Sequence, residues 1–314
     1  MECTCDDSSI AIYSIDQQRI IGETHYSSSK EHSQFGGIVP EIAARAHQKH
    51  LIKLIEDCLK KTNLDLSDIR YISFSSNPGL PSSLLVGKMI ATTLAISLKK
   101  ELIPVNHLEA HIFSIGLTKE LEFPSLALLI SGKNTIIYFL QGKDSIKELE
   151  KCEDCALGEA YDKIARVMGF EYPGGPKLEK YYRKDIDLEG FHLTKRDRNT
   201  SNLSLNFSGL ISSATRVWKK LKNNTFYSLD VKKEILSTSF QEEVILILFL
   251  KLKYWAKKFN VTEVYCSGGV SRNYVLKDHL TSKLFSERIN MYFVDPKYSE
   301  DNGAMIAYRA SLLI

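Results

Sequence analysis

The sequence predicts an α/β fold in two lobes, and three observations carry that reading. Apolar runs of strand length, bounded by turn residues, alternate with stretches of helical period along most of the chain. A turn of small or acidic residues sits against a strand twice, at Cys5-Asp6-Asp7-Ser8-Ser9 and again at Ser131-Gly132, and backbone N–H groups in such turns can face an anion. His107 and His111 stand four residues apart on what reads as a helix, so both imidazoles leave the same face. The best carboxylate to join them is Asp301, near the C-terminus, which would place the site in a cleft served by both ends of the chain. At 314 residues the chain is long enough for two lobes.

Composition narrows the function classes. With 44% hydrophobic and 25% charged residues, this is an ordinary globular chain. A net charge of +3 permits a nucleic-acid partner without arguing for one. The start, Met1-Glu2-Cys3-Thr4-Cys5-Asp6-Asp7, is acidic and lacks the apolar run of a signal peptide. The most apolar stretch, 244–250, is too short to span a bilayer, so no membrane is expected. Six cysteines in a chain of this length do not describe a disulfide framework, and Cys152-x-x-Cys155 has no second pair at metal spacing. A reducing, cytoplasmic setting fits best.

The first half reads as follows. Residues 8–14 form a strand after the acidic turn, whose start resembles the first phosphate-binding hairpin of the actin-like ATPase superfamily. The chain begins almost at that turn, so either the first strand is a stub or the start lies upstream. After Gly36-Gly37-Ile38-Val39-Pro40-Glu41 a helix runs through His47, with Glu41 in its first turn suiting the helix dipole. A second helix at 51–62 carries apolar residues at Leu51, Ile52, Leu54, Ile55 and Leu59. A strand at 70–75 leads to Asn77-Pro78-Gly79-Leu80-Pro81. Gly87-Lys88 is no phosphate loop, because Gly79 is too far upstream and Met89 stands where a hydroxyl ligand is required. The helix at 83–99 reads as core, and a short strand, Ile103-Pro104-Val105, delivers the chain to His107.

His-x-x-x-His pairs arise by chance on many helices. With a carboxylate from elsewhere they make a 2-His-1-carboxylate site with open positions, suited to Fe(II) and also open to Zn(II). The zincin motif is absent, since Leu108 replaces its glutamate.

The second lobe opens with a buried strand ending in Ser131-Gly132, and residues 135–141 return from it. Asp154-Cys155-Ala156-Leu157-Gly158-Glu159-Ala160-Tyr161-Asp162-Lys163 starts a helix that ends at Met168. Tyr172-Pro173-Gly174-Gly175-Pro176 reads as a surface turn or, beside a carboxylate-bearing helix, as a holder for a ribose. Residues 177–230 are polar and irregular, with basic clusters Lys195-Arg196-Asp197-Arg198 and Arg216-Val217-Trp218-Lys219-Lys220. Basic groups near an aromatic suit nucleic acid, although sequence alone favours a solvated face. A long amphipathic helix with a break follows at 231–259. Glu263-Val264-Tyr265-Cys266-Ser267-Gly268-Gly269-Val270-Ser271 is a strand, a glycine turn and a helix start, where an adenine or ribose can lie flat on backbone. A last strand at 291–294 leads to a helix opened by Asp301. The chain shows no GxGxxG fingerprint, Walker A loop or internal repeat.

Eight stretches, taken in order, resemble one family. They are Cys5-Asp6-Asp7, Gly36 to Glu41, Asn106-His107-Leu108-Glu109-Ala110-His111, Gly158 to Lys163, Tyr172 to Pro176, Phe207-Ser208-Gly209-Leu210, Ser267 to Ser271 and Asp301-Asn302-Gly303-Ala304-Met305. Each is weak alone; in this order they are similar to the TsaD family of tRNA N6-adenosine threonylcarbamoyltransferases, formerly described as O-sialoglycoprotein endopeptidases of the Gcp family. The resemblance implies an α/β, actin-like ATPase (ASKHA) fold with two lobes around a nucleotide- and metal-binding cleft. It implies an N-terminal lobe at 1–120 completed by a helix at 300–314. The second lobe, 121–299, would carry a mostly helical insertion at about 177–230. It also implies an acyltransferase that moves threonylcarbamoyl from threonylcarbamoyl-AMP to N6 of the adenosine 3′ of the anticodon in tRNAs reading codons that begin with A.

By the same resemblance His107, His111 and Asp301 hold one divalent metal, Fe(II) first and Zn(II) as the alternative. Leu129, Ile130, Ser131, Gly132, Lys133, Asp162, Gly175 and Asn273 would bind the adenylate or ATP. The implied partners are tRNA, a smaller non-catalytic paralogue of the TsaB kind and a P-loop ATPase of the TsaE kind. The donor is a mixed anhydride with a good leaving group, so covalent catalysis is unnecessary, and no catalytic base is nominated. Two rivals stand beside this reading: a metalloendopeptidase, and an actin-like nucleotide-binding scaffold without catalysis. One departure is clear. The family's second hairpin usually reads Ser-Gly-Gly-His-Thr, and here it is Ser131-Gly132-Lys133-Asn134-Thr135. Lys133 either pairs with a phosphate or obstructs it, and the intact neighbours favour pairing.

Overall fold

A computed structural model describes residues 1–314 except 33, 34, 36, 37 and 195–204. Gly36-Gly37 and the Lys195-Arg198 cluster therefore lie outside the described residues. The chain forms two compact units, Met1–Leu121 with Asp295–Ile314, and Glu122–Val294.

The first unit contains β1 (Asp7–Ser14), β2 (Arg19–Ser27), α1 (Ser29–His32), α2 (Pro40–Thr62), β3 (Tyr71–Asn77), α3 (Pro81–Leu98), β4 (Glu101–Asn106) and α4 (His107–Phe113). The second contains β5 (Ser125–Ile130), β6 (Thr135–Leu140), β7 (Ile146–Lys151), α5 (Leu157–Val167), α6 (Gly175–Lys180), α7 (Ser208–Asn223), α8 (Leu229–Phe259), β8 (Glu263–Ser267), α9 (Tyr274–Phe285) and β9 (Asn290–Phe293). The chain then returns to the first unit as α10 (Gly303–Ser311).

In the first unit β1 and β2 form an antiparallel hairpin, and β3 pairs with β4 in parallel. The first four residues join these pairs. Glu2 and Ser9 exchange backbone hydrogen bonds of 2.8 and 3.0 Å, the Met1 ammonium donates to the Ser73 carbonyl at 2.8 Å, and Ser75 N–H donates to the Met1 carbonyl. Burial lowers the pKa of that amino group. The stub thus adds an isolated bridge where a full strand could lie. One core packs the hairpin and β3 against α2 and α3 through Ile10, Leu51, Leu54, Cys58, Ile72, Phe74, Ala91 and Ala95. A smaller core fixes β4 and α4 to α10 through Ile103, Val105, Ala110, Met305, Ile306 and Ala310.

The second unit is a five-stranded sheet in the order β7-β6-β5-β8-β9. All six residues of β5 are buried, as expected of a central strand covered on both faces. β5 pairs antiparallel with β6 and parallel with β8.

Several elements differ from the sequence reading. The two helices expected before and after His47 are one helix, α2, because 48–50 contains no breaker and the buried stripe Ala43, Ala46, His47, Leu51, Leu54 continues through it. α8 runs 31 residues without a break. Its middle, 235–248, is buried on nearly every side, which removes the amphipathic period and imitates an interruption. The stretch read as irregular contains α7, a regular helix that buries Leu210, Ala214, Val217, Trp218 and Leu221. β7 was not expected. Only partly buried, it reads as charged surface in Lys147-Glu148-Leu149-Glu150-Lys151. Among the described residues α3, rather than 244–250, is long and apolar enough by length and composition to cross a membrane, a test that helices of soluble proteins also pass.

Candidate metal centre

β4 ends at Asn106, whose side-chain oxygen accepts from Leu108 N–H (2.9 Å) and Glu109 N–H (3.1 Å), the capping bonds that start α4. The cap forces His107 into the first helical position and His111 one turn on. Both are buried, at 8% and 3% exposure, with their rings edge to face at 4.7 Å. Asp301 reaches them from the far end of the sequence. It lies just outside α10, whose cap is Asn302 accepting from Met305 N–H at 2.9 Å, so the helix begins at Gly303 rather than at Asp301. Gly303 is required there: a Cβ would stand 2.7 Å from the Ala11 nitrogen and 2.8 Å from the Ile10 carbonyl carbon. Its N–H donates to Ser9 Oγ at 2.9 Å, which ties the start of α10 to β1.

Asp301 Oδ1 is 2.9 Å from His111 Nε2 and 3.5 Å from His107 Nε2, and one ligand atom from each residue falls within a 4.8 Å group. A first-row divalent ion bonded at about 2.1 Å holds neighbouring donors roughly 3 to 3.5 Å apart, so the donor set fits one. The other ring nitrogen of His111, Nδ1, is buried without a hydrogen-bond partner. Burial raises the Asp6 carboxyl above its ordinary value, and the neighbouring charges of Asp7 and Asp301 push it further. Three carboxylates, Asp6, Asp7 and Asp301, thus lie close enough to act on one another.

Glu109 lies off the histidine face. Arg309 of α10 grips it through Nε (3.1 Å) and Nη2 (2.8 Å) while lying over the Phe113 ring. That fork holds α4 against α10 and keeps the Glu109 carboxylate turned to Arg309.

The residues expected at the adenylate are all in the second unit. The turn proper is 131–134: Ser131 Oγ accepts from Lys133 N–H (3.3 Å) and Asn134 N–H (3.0 Å), and Ser131 N–H donates to the Asn134 carbonyl. Gly132 and Lys133 are exposed. Leu129 and Ile130 are wholly buried strand residues, so only their backbone could serve a ligand. The first turn of α5 meets the hairpin, Gly158 N–H donating to the Ser131 carbonyl. The tip of β8 arrives beside them: Gly268, at φ +91°, passes so close to the Ile130 carbonyl that no side chain fits. Beside that glycine the Ser267 and Ser271 hydroxyls are buried and without partners. Asp162 accepts from Gly174 N–H at 2.7 Å, and its carboxyl is raised by burial. Gly175 opens α6 with open space around it. Asn273 is already committed: it caps α9 through Leu276 N–H (3.0 Å) and donates to Gln241 Oε1 at 3.3 Å.

Sequence reasoning missed Glu2, which faces His107, and Glu179, which accepts from Tyr274 N–H at 3.0 Å. The one cue for Glu2 was an acidic residue inside the strand-like Met1-Glu2-Cys3-Thr4-Cys5. The aromatic of the basic cluster is not available for stacking, since Trp218 is 3% exposed, whereas Arg216, Lys219 and Lys220 are exposed.

Comparison with known proteins follows the same lines. The chain is similar to curated tRNA N6-adenosine threonylcarbamoyltransferases of Malacoplasma penetrans (35% identity, covering 98% of this chain and 96% of that one) and Sulfurihydrogenibium sp. (38%, 98% and 88%). Among solved structures it resembles HypF of T. kodakarensis (TM-score 0.63, 14% identity, 84% of this chain and 43% of that one). It also resembles component A of the Acidaminococcus fermentans (R)-2-hydroxyglutaryl-CoA dehydratase (TM-score 0.56, 13%, 100% and 94%). At such identities these two speak for the fold alone, the actin-like ASKHA fold. The family model described as TsaD, tRNA N6-adenosine threonylcarbamoyltransferase, matches residues 19–308, and the chain belongs to that family of acyltransferases.

Proposed function

We propose that this chain transfers the threonylcarbamoyl group from threonylcarbamoyl-AMP to N6 of the adenosine 3′ of the anticodon, in tRNAs reading codons that begin with A. Besides family membership, the observation that carries the reading is the convergence of His107 Nε2, His111 Nε2 and Asp301 Oδ1 on one point. These residues would hold one divalent ion, Fe(II) in the first place and Zn(II) as the alternative, leaving positions open for substrate oxygens. When bound, such an ion supplies Lewis-acid polarisation of the acyl carbonyl. The residues of the chain do the rest. In the second unit the N–H of Gly132 and the unpartnered hydroxyls of Ser267 and Ser271 are the groups suited to a leaving adenylate, with Lys133 adding positive charge and Ser131 Oγ holding the turn through the N–H groups of 133 and 134. Asp162 and Gly175 would border the nucleoside. Asn273 would act by fixing the start of α9, since its amide is occupied.

The proposed partners are tRNA, a smaller TsaB-like paralogue and a TsaE-like P-loop ATPase, in the cytoplasm. Leu85, Met89 and Ile96 along α3 are 57%, 61% and 73% exposed, an apolar stripe that suits a protein partner.

The decisive experiment is reconstitution with threonylcarbamoyl-AMP and unmodified tRNA, read by nucleoside mass spectrometry, beside metal analysis. The wild-type chain should carry about one iron or zinc, and His107→Ala or Asp301→Ala should lose both metal and product. Equal metal in all three would defeat the site, and metal without product would defeat the activity.

A further inference from the structure

The carboxylate of Glu2 points at the nitrogen of His107 that faces away from Asp301. Its Oε2 lies 3.0 Å from His107 Nδ1. Its Oε1 accepts from Thr4 N–H at 2.7 Å and from Thr4 Oγ1–H at 2.6 Å, and the Thr4 hydroxyl itself is 3.4 Å from His107 Nδ1. Glu2 has no exposed surface, and its backbone is locked to Ser9 by the paired bonds of the stub. A buried carboxylate is costly to keep unless something needs it.

We propose that Glu2 is the positioning residue of the metal centre: it fixes the ring and the tautomer of His107 so that Nε2 presents its lone pair beside Asp301. A carboxylate only accepts, so the proton of the neutral ring must sit on Nδ1. Thr4 supplies two donors to Oε1 and thereby holds the carboxylate in one rotamer. Carboxylate–histidine pairs of this kind orient a ligand and raise its basicity. This inference rests on the reading of His107, His111 and Asp301 as metal ligands.

Glu2→Gln is the discriminating variant because it keeps the shape. Its amide cannot serve both neighbours. With the oxygen toward Thr4, the NH2 meets Nδ1 and demands the tautomer with the proton on Nε2. With the amide turned over, the NH2 meets the two Thr4 donors. Chelator-stripped protein is titrated with Co(II) and Zn(II), and affinity, the Co(II) absorption spectrum and the thermal midpoint of the stripped form are recorded. Glu2→Gln should bind about 10- to 100-fold more weakly, with a changed Co(II) spectrum, and Thr4→Val should give a smaller loss in the same direction. Wild-type affinity and spectrum in Glu2→Gln, beside a His107→Ala chain that binds nothing, overturn the role of Glu2 and leave the metal centre standing. Failure of the wild-type chain itself to bind either ion removes the metal centre and the inference with it. If Glu2→Gln does not fold, the ¹⁵N shifts of His107 in stripped wild-type protein at pH 8 decide. A proton on Nδ1 supports the assignment, and a proton on Nε2 overturns it.

Discussion

At the scale of single residues, the candidate site is one face of α4 with the Asp301 carboxylate set against it, 2.9 Å from His111 Nε2. The spacing of His107 and His111 is a local signal, because a helix turns four-residue spacing into one face. Asp301 needed the order of motifs along the chain. Glu2 could not be found from spacing, since its partner lies 105 residues away and the contact depends on how an isolated bridge lies beside β3. Lys133 shows the opposite case, a departure visible only in sequence. Its backbone N–H is held by Ser131 Oγ, and the residue is exposed on the turn. Lys133→Gly should therefore weaken adenylate binding several-fold at low ionic strength, with the difference shrinking at high salt as screening shortens the reach of the charge. Calorimetric affinities that match wild type at both salt concentrations would show that the turn binds through its backbone alone.

Among elements, the strands and helices with clear periodicity were readable. α8 is buried almost all round, which hides its period, whereas α7 carries a stripe, Leu210, Ala214, Val217, Trp218 and Leu221, set among polar residues. A C-terminal helix in the first lobe was expected, but the contacts behind the pairing of α4 with α10 were not readable. That pairing rests on the fork from Arg309 to Glu109 and on the small core around Ala110 and Met305, contacts about 200 residues apart in sequence. Arg309 is 3% exposed, and Glu109 keeps about a third of its surface open. Arg309→Met should lower stability by about 3 kcal/mol, the lower end for a broken buried pair, because Glu109 can recover some water. Under the proposed reading it should also weaken metal binding, since the pair joins α4, which carries His107 and His111, to α10, which starts two residues after Asp301. A chain that loses stability but binds Co(II) with wild-type affinity would show that the fork serves the fold only.

For the whole molecule, the two-unit organisation reflects one long excursion of the chain. The first unit is begun by residues 1–121 and finished by 295–314, with all of the second unit in between. Each unit has its own hydrophobic core, so each can be tested by itself. A chain cut after Val294 lacks Asp301 and the α10 half of the core around Met305 and Ile306. Hydrogen exchange on that fragment should show β5 and α8 protected as in the full chain, and α4 exchanging much faster. Equal protection of α4 in both would mean that α10 adds little to it.

The position of α10 has a consequence for synthesis. A ribosome releases the chain from its N-terminus, and domains generally fold as they emerge. His107 and His111 are made early and must wait through the whole of the second unit before Asp301 appears. During that interval α4 lacks the helix that packs against it. Under the proposed reading, uptake of a metal at this site would follow the synthesis of Asp301, and a truncated product that never reaches residue 301 would lack one of its three ligands.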